Sequence, residues 1–245
     1  MLMFGFLEFT TVLLLSLRLL PLFVVMPINV FSKAPLLFRL IIVLALAIIM
    51  AGLVPIDVKI LTISLVLSEF LLGVVIAFSF HTAFASLDLV GKLLDLQIGI
   101  NTAGIFNPSS SHLGGVISDL LIAIACVLFF ILDLHYTLLQ GLVALFKIVP
   151  LGTFDFHLLN IKKLISVMGA QFIFAFIILL PVILGVWLVD LAFAVMSRSM
   201  PQANIYFLAL PVKFVVGLML LMFSMPMIVQ NIPRLFEQPL KLILS

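Results

Sequence analysis

The chain has 245 residues, of which 65% are hydrophobic and 9% charged, with a formal net charge of +2 and a mean hydropathy of +1.47. Soluble domains are about half apolar and about a quarter charged, and a fold of this size needs a polar skin, so a soluble globular protein is excluded. Lipid, or other hydrophobic subunits, must serve as part of the solvent. The basic residues are scattered, which argues against a nucleic-acid face or a polybasic lipid-binding tail. The single cysteine, Cys126, lies in an apolar run and excludes a disulfide within the chain.

In chain order, the first stretch (MLMFGFLEFTTVLLLSLRLL) has no basic residue ahead of its apolar run, carries Glu8 there and lacks a small-x-small cleavage site. The expectation is a retained hydrophobic helix and not a removable signal peptide. A spanning helix needs about 20 mostly apolar residues. Such runs cover 9–31, 37–54, 60–87, 116–146, 165–195 and 205–230. They predict an all-α polytopic membrane protein of about six hydrophobic helical runs, several kinked or paired as hairpins, in a single membrane domain over 1–245. The runs are too long for barrel strands and do not alternate in period two. Several are poor simple spans: Arg18 and Pro21 interrupt the first, Glu69 the third, Asp133 and His135 the fourth, while Pro181 and Gly185 break the fifth before Asp190. Ionisable groups and irregular backbone persist at membrane depth only under cover of protein or water. The positive-inside balance is nearly even, which points to runs that do not all cross.

No enzyme constellation is present. His81, His112, His135 and His157 are far apart in sequence and form no ligand motif, and phosphate and nucleophile motifs are missing. No catalytic residue, cofactor or metal is expected. Asp133 and Asp190 are read as buried acids, each in one interhelical hydrogen bond or ion pair, with a proton relay as the rival reading. Glu69 and Gly73 share a helix face that suits close helix packing. Met219, Met222, Met225 and Met227 line the last run, either filling gaps or sealing around cargo.

The segment 86–115 is the most unusual. Asp88, Lys92 and Asp95 can form a charged triplet on one face, with Leu89, Leu93, Leu96 and Ile100 opposite, giving an amphipathic helix that ends near Ile100. A small, polar stretch follows, with Gly104, Asn107, Pro108, three serines and two glycines. A plain surface loop is the default reading and a mobile plug the sharper one.

Four places carry a family resemblance: Arg18, Pro21 and Phe23 with Pro35 and Arg39; Glu69 and Gly73; Gly91, Asp95, Gln97 and Gly99 running on to Asn107-Pro108; and Arg198, Pro201, Gln202 and Asn204 followed by Pro211, Lys213 and Gly217. In this order and spacing the chain resembles the FliR family of flagellar biosynthesis proteins, which is similar to the SctT proteins of injectisomes. It departs from the family at Asn107, where an acidic residue is common, and at Leu134-His135-Tyr136, where Gly-His-His is usual.

The resemblance implies a non-enzymatic subunit of the flagellar type III protein export gate. It would be multi-pass in the bacterial inner membrane within the flagellar basal body, and built with FliP-like and FliQ-like subunits into a helical hetero-oligomer. An FlhB-like protein is a further candidate partner; unfolded export substrates and membrane lipid complete the set, with no nucleic acid. The resemblance also implies a pore-plugging loop, placed here on Ile105, Phe106, Asn107, Pro108, Ser109, Ser110 and Ser111.

At the turn 197–207 (SRSMPQANIYF), Pro201 ends one helix and Gln202 and Asn204 can satisfy exposed backbone groups. Arg198 and Lys213 flank it as candidates for pairing with acids on a neighbouring subunit. Residues 230–245 form a short amphipathic tail. The rival function is a secondary transporter or channel for small solutes, which predicts a polar midplane cluster and an internal repeat; neither is evident.

Overall fold

The computed structural model describes residues 2–25, 34–52, 62–100, 115–154, 160–200 and 204–244. Among these the chain forms seven helices and no strand: α1 (Leu2–Val25), α2 (Leu36–Ala51), α3 (Ile63–Ile98), α4 (Val116–Ile131), α5 (Leu134–Ile148), α6 (Ile161–Ser199) and α7 (Ile205–Leu244). The all-α, polytopic expectation holds. By length and apolarity α3, α6 and residues 207–237 of α7 can each cross a membrane, and α4 with α5 makes a bent pair.

The boundaries differ from the apolar runs for physical reasons. Pro21 lies inside α1 and Pro181 inside α6 without breaking either helix, so the predicted breaks at Pro21 and at Pro181–Gly185 are absent. Membrane helices tolerate such residues where neighbouring groups satisfy the freed backbone. The third run continues to Ile98 because Asp88, Lys92 and Asp95 are polar without being helix breakers. Gly99, at φ 86°, stops it, and the N–H groups of Gly99 and Ile100 both donate to the Asp95 carbonyl. The 116–146 run is two helices, bent by 69° at Leu132–Asp133, with Asp133 in the left-handed region at φ 54°. Residues 230–244 continue α7 as helix.

The chain divides into two compact units. The first comprises 1–83, 129–170 and 236–245. In it α2 packs along α1, and Arg39 Nη1 donates to the Val24 carbonyl at 2.9 Å, neutralising the C-terminal end of α1. Its buried residues include Leu14, Leu15 and Leu19 of α1, Phe80 of α3 and Phe146 of α5. Phe129 stands edge-on to Phe236, centroids 5.5 Å apart.

The second unit comprises 84–128 and 171–235. In it α6 and α7 run antiparallel: a Cβ at Gly185 would meet the side chain of Leu220, and further along Asp190 pairs with Lys213. Gly217 admits the Ile98 side chain from the end of α3; a Cβ there would lie 2.6 Å from Ile98 Cδ1. Cys126 is a buried core residue.

Candidate functional site

Two buried carboxylates organise the family-motif residues, one in each unit. In the first unit Arg18 of α1 and Glu69 of α3 have side chains with no exposed surface. Arg18 Nε donates to Glu69 Oε2 at 2.5 Å, and Nη1 donates to the Val149 carbonyl at 3.1 Å. The Gly152 N–H donates to Glu69 Oε1 at 2.8 Å. The guanidinium also lies 4.9 Å from the centre of the Phe146 ring, a cation–π contact.

Gly73, one turn after Glu69, allows this approach. A Cβ there would collide with the Arg18 carbonyl oxygen and come within 2.9 Å of its carbon. Pro21 follows on the next turn of α1 and is buried. One ion pair thus ties α1, α3 and the turn after α5 together. Arg18 Nη2 is buried without a hydrogen-bond partner among the described residues.

In the second unit Asp95 is fully buried. Its Oδ1 accepts the Ile117 N–H at 3.0 Å and its Oδ2 the Ser118 N–H at 3.3 Å. These are first-turn donors of α4, which otherwise lack partners. Asp88 Oδ1 accepts the Ser118 hydroxyl at 2.5 Å, and Asp88 Oδ2 pairs with Lys92 at 2.7 Å. Gly91 lets the helices touch, since a Cβ on it would sit 2.5 Å from the Ser118 Cα.

The expected charged triplet is therefore incomplete. Asp88 and Lys92 pair at the surface, while Asp95 turns inward to α4. Along the same helix Leu89, Leu93 and Leu96 are exposed, and Leu87, Val90, Leu94 and Ile98 are buried. Gln97 is half-buried, its Oε1 without a partner among the described residues.

The remaining motif residues lie around the α6–α7 turn. Arg198 is exposed in the last turn of α6, and Pro211 is exposed on α7. The carbonyl of Asn204 accepts the Phe207 N–H at 3.1 Å. Lys213 pairs with Asp190 of its own chain. Asp133, expected buried, is exposed, with His135 Nε2 4.0 Å from its Oδ1. Pro201 and Gln202, and the plug candidates Ile105, Phe106, Asn107, Pro108, Ser109, Ser110 and Ser111, lie outside the described residues. Sequence reasoning missed Ser118, Gly115 and Gly152. None belongs to a recognisable motif, and each matters only through a carboxylate far away in sequence.

Residues 9–239 match the family described as bacterial export proteins, family 1. The chain belongs to that family. It is 24% identical over 176 residues to the flagellar biosynthetic protein FliR of Buchnera aphidicola subsp. Acyrthosiphon pisum, covering 71% of this chain and 67% of the relative. FliR of Escherichia coli K12 is 26% identical over 174 residues, 71% of this chain and 67% of the relative. The secretion system apparatus protein SsaT of Salmonella typhimurium LT2 is 28% identical over 165 residues, 67% and 64% of the two chains. The FliR resemblance and its SctT-type kinship are thus confirmed. The chain is a multi-pass inner-membrane component of a flagellar or type III export apparatus.

Proposed function

We propose that the chain is the FliR-type subunit of a flagellar export gate in the basal body. It joins FliP-like and FliQ-like subunits, with an FlhB-like neighbour, in a helical hetero-oligomer. That assembly is the conduit through which unfolded flagellar proteins leave the cytoplasm, and the chain itself performs no covalent chemistry.

One observation carries the reading, namely the length of apolar helix left uncovered. α6 exposes large apolar side chains from Ile161 to Met196, about 52 Å at roughly 1.5 Å per residue. A bilayer core covers about 30 Å. Lipid therefore shields only part of α6, and water is a poor solvent for the rest. Neighbouring hydrophobic helices are the cover that fits. Co-purification of the tagged chain with the two small membrane partners tests the assembly.

Within this reading the segment 105–111 plugs the resting pore, with Ile105 and Phe106 as its apolar tips. The support is the family resemblance together with the small, polar composition of the sequence that follows Gly99. Deleting 105–111 should make the purified assembly leak potassium from proteoliposomes. A deletion variant as tight as the parent contradicts the plug.

A further inference from the structure

α6 and α7 form an apolar antiparallel pair, charged near their ends and at one place between. In α6 Asp190 is the sole charged residue between Lys163 and Arg198, and in α7 Lys213 is the sole one before Arg234. These two form an ion pair across the helices. The residues one helical turn away are apolar, among them Trp187 and Ala194 beside Asp190 and Leu210 and Val216 beside Lys213.

The pair is covered unevenly. The Lys213 side chain is 16% exposed, whereas that of Asp190, read from the sequence as a buried acid, is 43% exposed. This face therefore presents the acid more than the base. A carboxylate has about four acceptor sites, and Lys213 is the partner Asp190 has among the described residues. Beside it Trp187 and Leu191 are 48% and 63% exposed, a surface suited to lipid or to another apolar helix. Lipid tails offer a carboxylate no donor. The charged end of α6 at Arg198 is eight residues on, about 12 Å at roughly 1.5 Å per residue, which a short aspartate side chain does not reach.

We infer that Asp190 is a docking contact: its exposed carboxylate receives a basic side chain from an apolar helix of a neighbouring membrane subunit. Lys213 holds the acid in place and offsets part of the cost of keeping it from water. The partner's cation gives specificity to a surface otherwise matched by shape alone. The inference rests on the assembly reading above.

Exchanging the two residues separates docking from pairing within the chain. Asp190→Lys with Lys213→Asp keeps an ion pair between α6 and α7 but turns the more exposed position from acid to base. The tagged variant and the parent are extracted in mild detergent from cells that also make the FliP-like and FliQ-like proteins. Partner recovered per tagged chain is measured, and the Tm of each chain is taken without partners. The expected result is a variant that melts with the parent but recovers roughly tenfold less partner, since like charges then meet at the contact.

A variant that recovers partners as the parent does overturns the docking role and leaves the assembly standing. A parent that purifies without partners overturns the assembly reading, and the docking role with it. Should the exchange variant not accumulate, the neutral pair Asp190→Asn with Lys213→Gln decides in its place. Several-fold loss of partner then supports the inference, and parental recovery overturns it.

Discussion

Arg18 and Glu69 are fully buried and pair with each other, while Arg18 donates to the Val149 carbonyl and Glu69 accepts the Gly152 N–H. Removing one partner of such a pair leaves a charge buried without compensation, typically at about 3–5 kcal/mol. Replacing both by apolar groups of similar volume is often neutral. Arg18→Ala and Glu69→Ala are therefore expected to lower the Tm of the detergent-purified chain sharply or to prevent its accumulation. The pair Arg18→Met with Glu69→Leu should recover most of the loss. Single variants that melt with the parent would contradict this. The i, i+4 placement of Glu69 and Gly73 was legible in the sequence as a packing face. Its partner was not, because Arg18 lies 51 positions away and nothing local to either residue names the other.

Between α4 and α5 one residue makes the corner. Asp133 is the non-glycine residue at positive φ among those described. That conformation costs most L-residues roughly 1–2 kcal/mol, and Asp and Asn least among them. Asp133→Gly should be neutral or slightly stabilising, whereas Asp133→Val should destabilise by about 1–2 kcal/mol, both read from thermal melts in detergent. Equal stability of the two variants would argue against the corner.

The same corner shows how element boundaries hide in an apolar chain. The 116–146 run is continuous in hydropathy, and Asp133 and His135 were visible as intrusions but not as a bend. At 181–185 the error ran the other way, because proline and glycine suggested a break and α6 passes straight through. Hydropathy records what a helix touches, and these boundaries depend on whether a backbone group has a partner. The pattern of 86–100 separates leucines from charges without saying which side packs inward. Its leucines face outward, as suits a chain whose surroundings are apolar, and its carboxylate faces a helix end.

The full molecule carries more apolar surface than one bilayer can cover. α3, α6 and α7 have 36, 39 and 40 residues, hence lengths of about 54–60 Å at roughly 1.5 Å per residue. A tilt at the extreme of about 40° still leaves some 44 Å of α6 along the membrane normal, against about 30 Å of hydrocarbon. The all-α membrane class and the family were readable from composition and motif order. Which helices cross was not, because length and apolarity exceed what a span requires and the charges that orient simple spans are engaged elsewhere, as in Asp190 with Lys213 and Arg18 with Glu69.

The direct test of this account is the mass and composition of the particle formed by the tagged chain, extracted in mild detergent from cells that also make the FliP-like and FliQ-like proteins. The account predicts one large particle containing both partners. A monomer or homodimer, purified with neither, would contradict it.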